Sequence, residues 1–136
     1  MTGSAGWLKS QNPDVEAFGV SPENSPVMYE SMRVGKMVEM ETFPTLADTC
    51  GGCVDLDSIT LDLCRRHVDE IFLLTETEIE SSIRLLFEQH RLVVEGSAAL
   101  AVGALLKYRE RFKGKRVVAA VCGRNIDLEV FKRIIA

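Results

Sequence analysis

The stretch Ile71-Phe72-Leu73-Leu74-Thr75-Glu76-Thr77-Glu78 constrains this chain most, because it passes from an apolar run directly into a helix start. Four apolar residues without helical spacing, just after Asp69-Glu70, read as a buried strand. Thr75 then stands three residues before Glu78, the spacing at which hydroxyl and carboxylate satisfy each other's orphan amide groups. Ile79, Ile83, Leu86 and Phe87 recur at helical intervals, so an amphipathic helix is expected over Thr77 to about Arg91. A strand feeding straight into a capped helix is the repeating unit of layered α/β folds.

The rest of the chain repeats that alternation. Val15 to Val20 follows the turn at Asn12-Pro13 and reads as a strand. A helix is expected from Glu23 to Pro26 onward through Val27, Met28 and Met32, ending at Gly35, and Lys36 to Glu41 is expected to be extended. Thr42 to Asp57 holds Pro44, Gly51 and Gly52 and reads as loop, with a short helix around Thr45 to Thr49. Asp57 or Ser58 is placed to cap a helix carrying Ile59, Leu61, Leu63 and Cys64. Gly96 to about Tyr108 is a helix apolar around most of its girth, Arg116 to Val121 a nearly continuous apolar strand, and Asp127 to Ile135 a closing helix. All-apolar strands suit a parallel sheet covered on both faces. The expectation is one three-layer α/β domain over 1–136, with a mostly parallel sheet of about four strands and helices on both sides.

Composition removes several functional classes. With 136 residues and 46% hydrophobic content, the chain is long enough to bury one core. Its formal charge of -4 supplies no basic field for phosphates, so no nucleic-acid partner is expected. The longest apolar runs, such as Ser97 to Leu106, are too short to cross a bilayer, and Met1-Thr2-Gly3-Ser4 lacks the character of a signal peptide. No membrane partner and a cytoplasmic location follow as expectations, with the four cysteines read as reduced thiols.

Several ordered motifs carry a family resemblance. They are Gly19-Val20-Ser21-Pro22-Glu23-Asn24-Ser25-Pro26 with Met28-Tyr29, Val38-Glu39 and Pro44-Thr45-Leu46-Ala47-Asp48; then Val68-Asp69-Glu70-Ile71 with Leu74 to Ile79; then Val94-Glu95-Gly96-Ser97-Ala98-Ala99 and Val121-Cys122-Gly123-Arg124-Asn125-Ile126-Asp127. In order and separation these resemble the later part of the threonine dehydratase and serine racemase family of fold-type II pyridoxal phosphate (PLP) enzymes. The resemblance implies a parent reaction that removes water and ammonia from a hydroxy amino acid. It also implies that Cys122 takes the place of the residue that contacts the pyridine nitrogen, within a turn that includes Gly123, and that Glu95 and Asn125 shape the pocket beside the ring. For Glu95 a simpler reading stays open, a carboxylate favoured by the dipole at a helix N-terminus.

Departures from the family pattern point the other way. Arg124 replaces the family's second glycine in the Cys122 turn, where a glycine allows a positive φ or a close backbone approach. Ser21 and Val27 stand where many members carry acidic cation ligands, so no metal is expected there, and Glu23 is the nearest substitute. The resemblance implies a lysine that binds the cofactor covalently and a Gly-rich phosphate loop, and neither has a complete counterpart. Met1 to Gly6 looks like the tail of that loop running into the next helix. Phe112-Lys113-Gly114-Lys115-Arg116 lacks the serine of the lysine motif and reads as a charged turn.

No catalytic residue is therefore expected. As an isolated chain the expectation is no cofactor, no lyase or racemase activity, and a homodimer or larger assembly through uncovered apolar surface, with a separate chain carrying the lysine part as a further partner. Two rival chemistries stand beside this: a redox or metal pair at Cys50 and Cys53, and a nucleophilic Cys122 served by His67 or His90.

Overall fold

A computed structural model describes residues 1–52 and 54–136. The elements run α1 (Thr2–Gln11), β1 (Phe18–Pro22), α2 (Val27–Val34), α3 (Thr60–His67), β2 (Glu70–Leu74), α4 (Glu76–His90), α5 (Gly96–Lys107) and α6 (Leu128–Ile135), with 3-10 turns at Asp48–Cys50 and Arg109–Phe112. The strands pair in parallel, with Phe18 opposite Glu70 and Pro22 opposite Leu74. Parallel strands need a crossover, and α2 with α3 supplies it.

Alternation along β2 sorts the core into two layers. Ile71 belongs to a small cluster with Cys64 and Val68, against which Met28, Tyr29 and Met32 of α2 pack. Leu74 enters the larger cluster with Ile79, Ile83 and Leu86 of α4, Ala99 and Leu100 of α5, and Phe131 and Ile134 of α6. Phe72 stacks between Phe18 and Tyr108, with ring centroids 5.2 and 4.3 Å away. Helices thus cover both faces of the sheet, as the sequence leads one to expect. Burial of Cys64 among these apolar groups pushes its thiol pKa up, against a smaller opposing pull from the chain's amino terminus.

The capping box forms as its spacing requires. Thr75 Oγ1 accepts from the Glu78 N–H at 3.3 Å, and Glu78 Oε2 accepts from the Thr75 N–H at 2.8 Å. Asp127 caps α6 by accepting from the Glu129 and Val130 N–H groups. No side-chain cap bond forms at α3, which starts at Thr60 rather than at Asp57 or Ser58.

The sheet is smaller than the sequence suggests. Among the described residues it has two strands, not about four. β1 also sits later than expected, at Phe18–Pro22 rather than Val15 to Val20, while Lys36 to Glu41 forms no strand. The largest difference is at Arg116 to Val121: among the described residues this run has no ladder partner, and Val118 is 91% exposed. β-branched side chains favour extended backbone, but a ladder also needs a neighbour, which sequence propensity does not supply.

The two edges of the sheet differ. On β2, the outward carbonyl of Leu73 accepts from Lys107 Nζ at 3.0 Å and from Tyr108 Oη at 3.3 Å. Side chains from the end of α5 therefore obstruct that edge. Among the described residues, no helix is long and apolar enough to cross a membrane.

Candidate functional site

Four segments meet beyond the carboxyl ends of the strands, the end at which α/β sheets bind their ligands. They are the loop through Thr45 to Cys50, the amino end of α5, the turn Cys122 to Asn125, and the amino end of α6. The loop is held by Glu76 at the start of α4, whose Oε2 accepts from the Leu46 N–H at 2.7 Å, while its Oε1 is buried with no partner among the described residues. Gly96 allows the close approach of α5 to this loop, because a Cβ there would lie 2.0 Å from the Leu46 carbonyl oxygen.

Glu95 is the hub. It is the N-cap residue of α5, yet its side chain makes no cap bond to that helix. One carboxylate oxygen accepts from the Asn125 N–H at 2.9 Å, and the other accepts from Thr49 Oγ1 at 3.2 Å. Its own N–H donates to the Gly123 carbonyl at 3.2 Å. A Cβ on Gly123 would lie 2.4 Å from the Glu95 carboxyl carbon, so only glycine leaves room for the carboxylate. The dipole reading of Glu95 captures its position at the helix start but misses this clamp across two loops.

The structure thus brings Glu95, Gly123 and Asn125 together, with Cys122 next to them on an exposed turn. Arg124 is exposed, and Arg91 is the only non-glycine with positive φ among the described residues. Arginine at 124 therefore introduces no left-handed strain. Between the segments lies a cavity of about 130 Å³ lined by Thr45, Asp48, Glu95, Asn125, Asp127 and Val130 among others. Its charged lining is acidic throughout.

Sequence reasoning missed Thr49 and Ser97. Thr49 Oγ1 lies 2.5 Å from Ser97 Oγ, joining the Asp48–Cys50 turn to the first turn of α5. Thr49 lies outside any motif and Ser97 is a small hydroxyl residue within one, and only the approach of two distant segments reveals their contact.

The other candidates lie elsewhere. His67 ends α3, with Gly6 of α1 packed against its ring, and His90 is exposed at the end of α4; neither is on an element that frames Cys122. Cys50 is exposed, whereas Cys53 lies outside the described residues, so the proposed thiol pair has no described geometry. Ser21 lies in β1, Val27 is buried at the start of α2, and Glu23 faces Lys107 at 3.5 Å. Among the described residues, no cluster of three or more His, Cys, Asp or Glu side chains is arranged to hold a metal ion. In the Phe112 to Arg116 turn, Phe112 packs edge-on against Phe18, and Lys115 pairs with Glu16.

The chain is similar to known proteins of one family. The profile of the family described as "Pyridoxal-phosphate dependent enzyme" matches residues 1–123. The L-threonine ammonia-lyase of Thermotoga maritima is 40% identical over 128 residues, covering 94% of this chain and 31% of that enzyme. The catabolic L-threonine dehydratase of Escherichia coli is 34% identical, with 98% of this chain and 41% of the enzyme covered. The chain therefore spans well under half the length of these relatives. Among solved structures, threonine deaminase isoform 2 of Solanum lycopersicum superimposes with a TM-score of 0.88 at 25% identity, over 98% of this chain and 39% of that one. Serine racemase from Dictyostelium discoideum gives 0.83 at 27% identity, over 93% and 40%. The fold, the shared motifs and the profile match together place this chain in the pyridoxal-phosphate dependent enzyme family, among the threonine dehydratase and serine racemase relatives.

Proposed function

We propose that this chain is the part of a hydroxy amino acid ammonia-lyase that walls the pyridine-ring side of the cofactor site, and that alone it carries no lyase or racemase activity. The observation that carries this is the Glu95 clamp: a carboxylate fixed by Thr49 and the Asn125 N–H, seated against Gly123 and next to Cys122. In that role Cys122 faces the ring nitrogen, and Glu95, Gly123 and Asn125 fix the turn that presents it.

The residues present do not fit the whole cofactor. A phosphate ester carries close to two negative charges at neutral pH and needs backbone donors or cations. The cavity instead presents Asp48, Glu95 and Asp127, and its lining includes no Lys or Arg. The amino ends of α5 and α6 are already occupied, one packed against Leu46 and the other capped by Asp127. No chemical step is therefore assigned to this chain by itself. A complementary part carrying the phosphate cradle and the lysine completes the reading, and α1, with Trp7 64% exposed, offers surface for a homodimer.

Titration of the purified chain with PLP, followed by borohydride reduction, tests the reading. The expected result is no specific absorbance band, no covalent adduct at a single lysine, and no keto acid from threonine or serine. One stoichiometric lysine adduct with keto-acid release would overturn it.

A further inference from the structure

The loop from Thr45 to Gly52 is fastened at both ends and held by a single side chain between them. At the near end Ala47 is fully buried, the Leu46 N–H donates to Glu76 Oε2 at 2.7 Å, and the Leu46 backbone lies against Gly96. At the far end the Gly52 N–H donates to Oγ of the buried Ser25 at 3.0 Å. Between these anchors the turn Asp48–Cys50 is exposed, and its backbone bonds stay local: the Cys50 N–H reaches the Ala47 carbonyl, and the Gly51 N–H reaches that of Asp48. Among the described residues, only Thr49 hydrogen-bonds the turn to the rest of the molecule, through Glu95 and Ser97.

The backbone allows a hinge at each side of the turn. Gly52 holds a φ of 98°, and an added Cβ there would meet nothing within 4 Å, so conformation rather than crowding calls for glycine. Gly51 precedes it, and two adjacent glycines can absorb the dihedral change that a moving turn requires.

Opposing forces act on the turn. Thr49 has one hydroxyl proton and two acceptors in reach, Glu95 Oε1 at 3.2 Å and Ser97 Oγ at 2.5 Å. When Thr49 donates to the carboxylate, Ser97 must donate to Thr49. Two hydroxyls in series then end on a charge and hold the turn down. Against this, Asp48 on the turn lines the cavity of about 130 Å³ together with Glu95 and Asp127, and no Lys or Arg shares that lining. Carboxylates around so small a space lie within a Debye length, about 8–10 Å, so their repulsion pushes the turn outward.

We propose that the turn Asp48–Cys50 is a lid over this cavity, hinged at Ala47 and at Gly51-Gly52, latched by the Thr49 hydroxyl and sprung by the charge of Asp48. Closed, it engages Glu95 Oε1. Open, it releases that oxygen and widens the cavity, while the Asn125 N–H keeps the other oxygen in place. The lid is built from this chain's own contacts and does not depend on the functional reading.

Nuclear magnetic resonance on the full chain tests it. Relaxation dispersion at Asp48, Thr49 and Cys50 reports the open population, and hydrogen exchange at the Leu46 and Gly52 amides reports whether the anchors hold. Thr49→Val keeps the side-chain shape but removes the latch, and should raise the open population about fivefold, the effect of losing one hydrogen bond. Thr49→Ser, which keeps the hydroxyl, should restore the wild-type value. Asp48→Asn keeps the oxygen that accepts from the Thr49 N–H but removes the charge, and should lower the open population. Raising sodium chloride from about 20 to about 300 mM should lower it in the wild type and leave Asp48→Asn unmoved. Leu46 and Gly52 should stay protected throughout.

Flat dispersion at the turn in both the wild type and Thr49→Val overturns the lid. Loss of protection at Leu46 and Gly52 in Thr49→Val also overturns it, because the whole loop then unfolds instead of hinging. An open population that Asp48→Asn raises or leaves unchanged removes the spring, and with it the proposal.

Discussion

Gly123 and Gly96 make opposite demands on what surrounds them, and substitution separates the two. At Gly123 the crowding atoms belong to the Glu95 side chain, 2.4 to 2.7 Å from an added Cβ. The carboxylate can swing away, at the cost of its bond to the Asn125 N–H. Gly123→Ala should therefore cost about 1–3 kcal/mol and accelerate exchange at Asn125, read by denaturant titration and amide exchange. At Gly96 the obstacle is backbone, with the Leu46 carbonyl oxygen 2.0 Å away. Gly96→Ala should cost more, because the loop itself must move. A Gly123→Ala variant with wild-type stability and unchanged Asn125 exchange would show that the clamp is not closed in solution. Glu95, Gly123 and Asn125 were recognisable from their motif. The role of Thr49, which bonds both Glu95 and Ser97, was not, since it arises from contacts 46 and 48 residues along the chain.

At the scale of elements, the helices were far more legible than the strands. α4 announces itself through local signals, a capping box and apolar residues at helical spacing, and both depend only on neighbours in sequence. A strand depends on a partner that can lie anywhere. Arg116 to Val121 has the composition of a buried strand but no ladder here, and Lys36 to Glu41 likewise forms none.

The α4 cap is also tied to α5, where Glu78 Oε2 receives Lys107 Nζ at 2.9 Å. For Glu78, burial acts to raise the pKa, but the hydrogen bonds from Lys107 and Thr75 outweigh it and hold the carboxyl below its ordinary 4.5. A depressed carboxyl stabilises the fold above its unfolded pKa, and that contribution fades as pH falls through the lower folded value. Burial likewise opposes the charge of Lys107, yet Glu78 and the other acidic neighbours raise its pKa above 10.5. Its contribution persists below that value and is lost as pH rises through the folded one. Stability measured by thermal melts should decline below about pH 4.5, and Glu78→Gln should flatten that acid limb while leaving α4 helical. An unchanged acid limb would remove Glu78 as its cause.

The molecule as a whole carries more uncovered apolar surface than its helices need. Met1, Trp7 and Leu8 of the amino-terminal segment are 60%, 64% and 44% exposed. That surface underlies the proposed homodimer. Sedimentation should show a concentration-dependent dimer that Trp7→Glu shifts to monomer without loss of helical signal. A chain that stays monomeric at high concentration would exclude association through α1. The layered α/β class was legible because alternation of strand and helix signals is a property of the whole sequence. The extent of the sheet was not, because it depends on edges whose neighbours composition does not specify.

The obstruction of β2 by Lys107 and Tyr108 bears on what happens when such chains are concentrated. A sheet that grows into a fibril must offer two templating rims, one to receive a strand and one to pass the pattern on. Here one rim is stoppered by an ammonium and a phenol that hold the Leu73 carbonyl. Addition at the other rim is therefore a terminating event, and the chain should form finite, soluble complexes where an open two-stranded ribbon would seed amyloid.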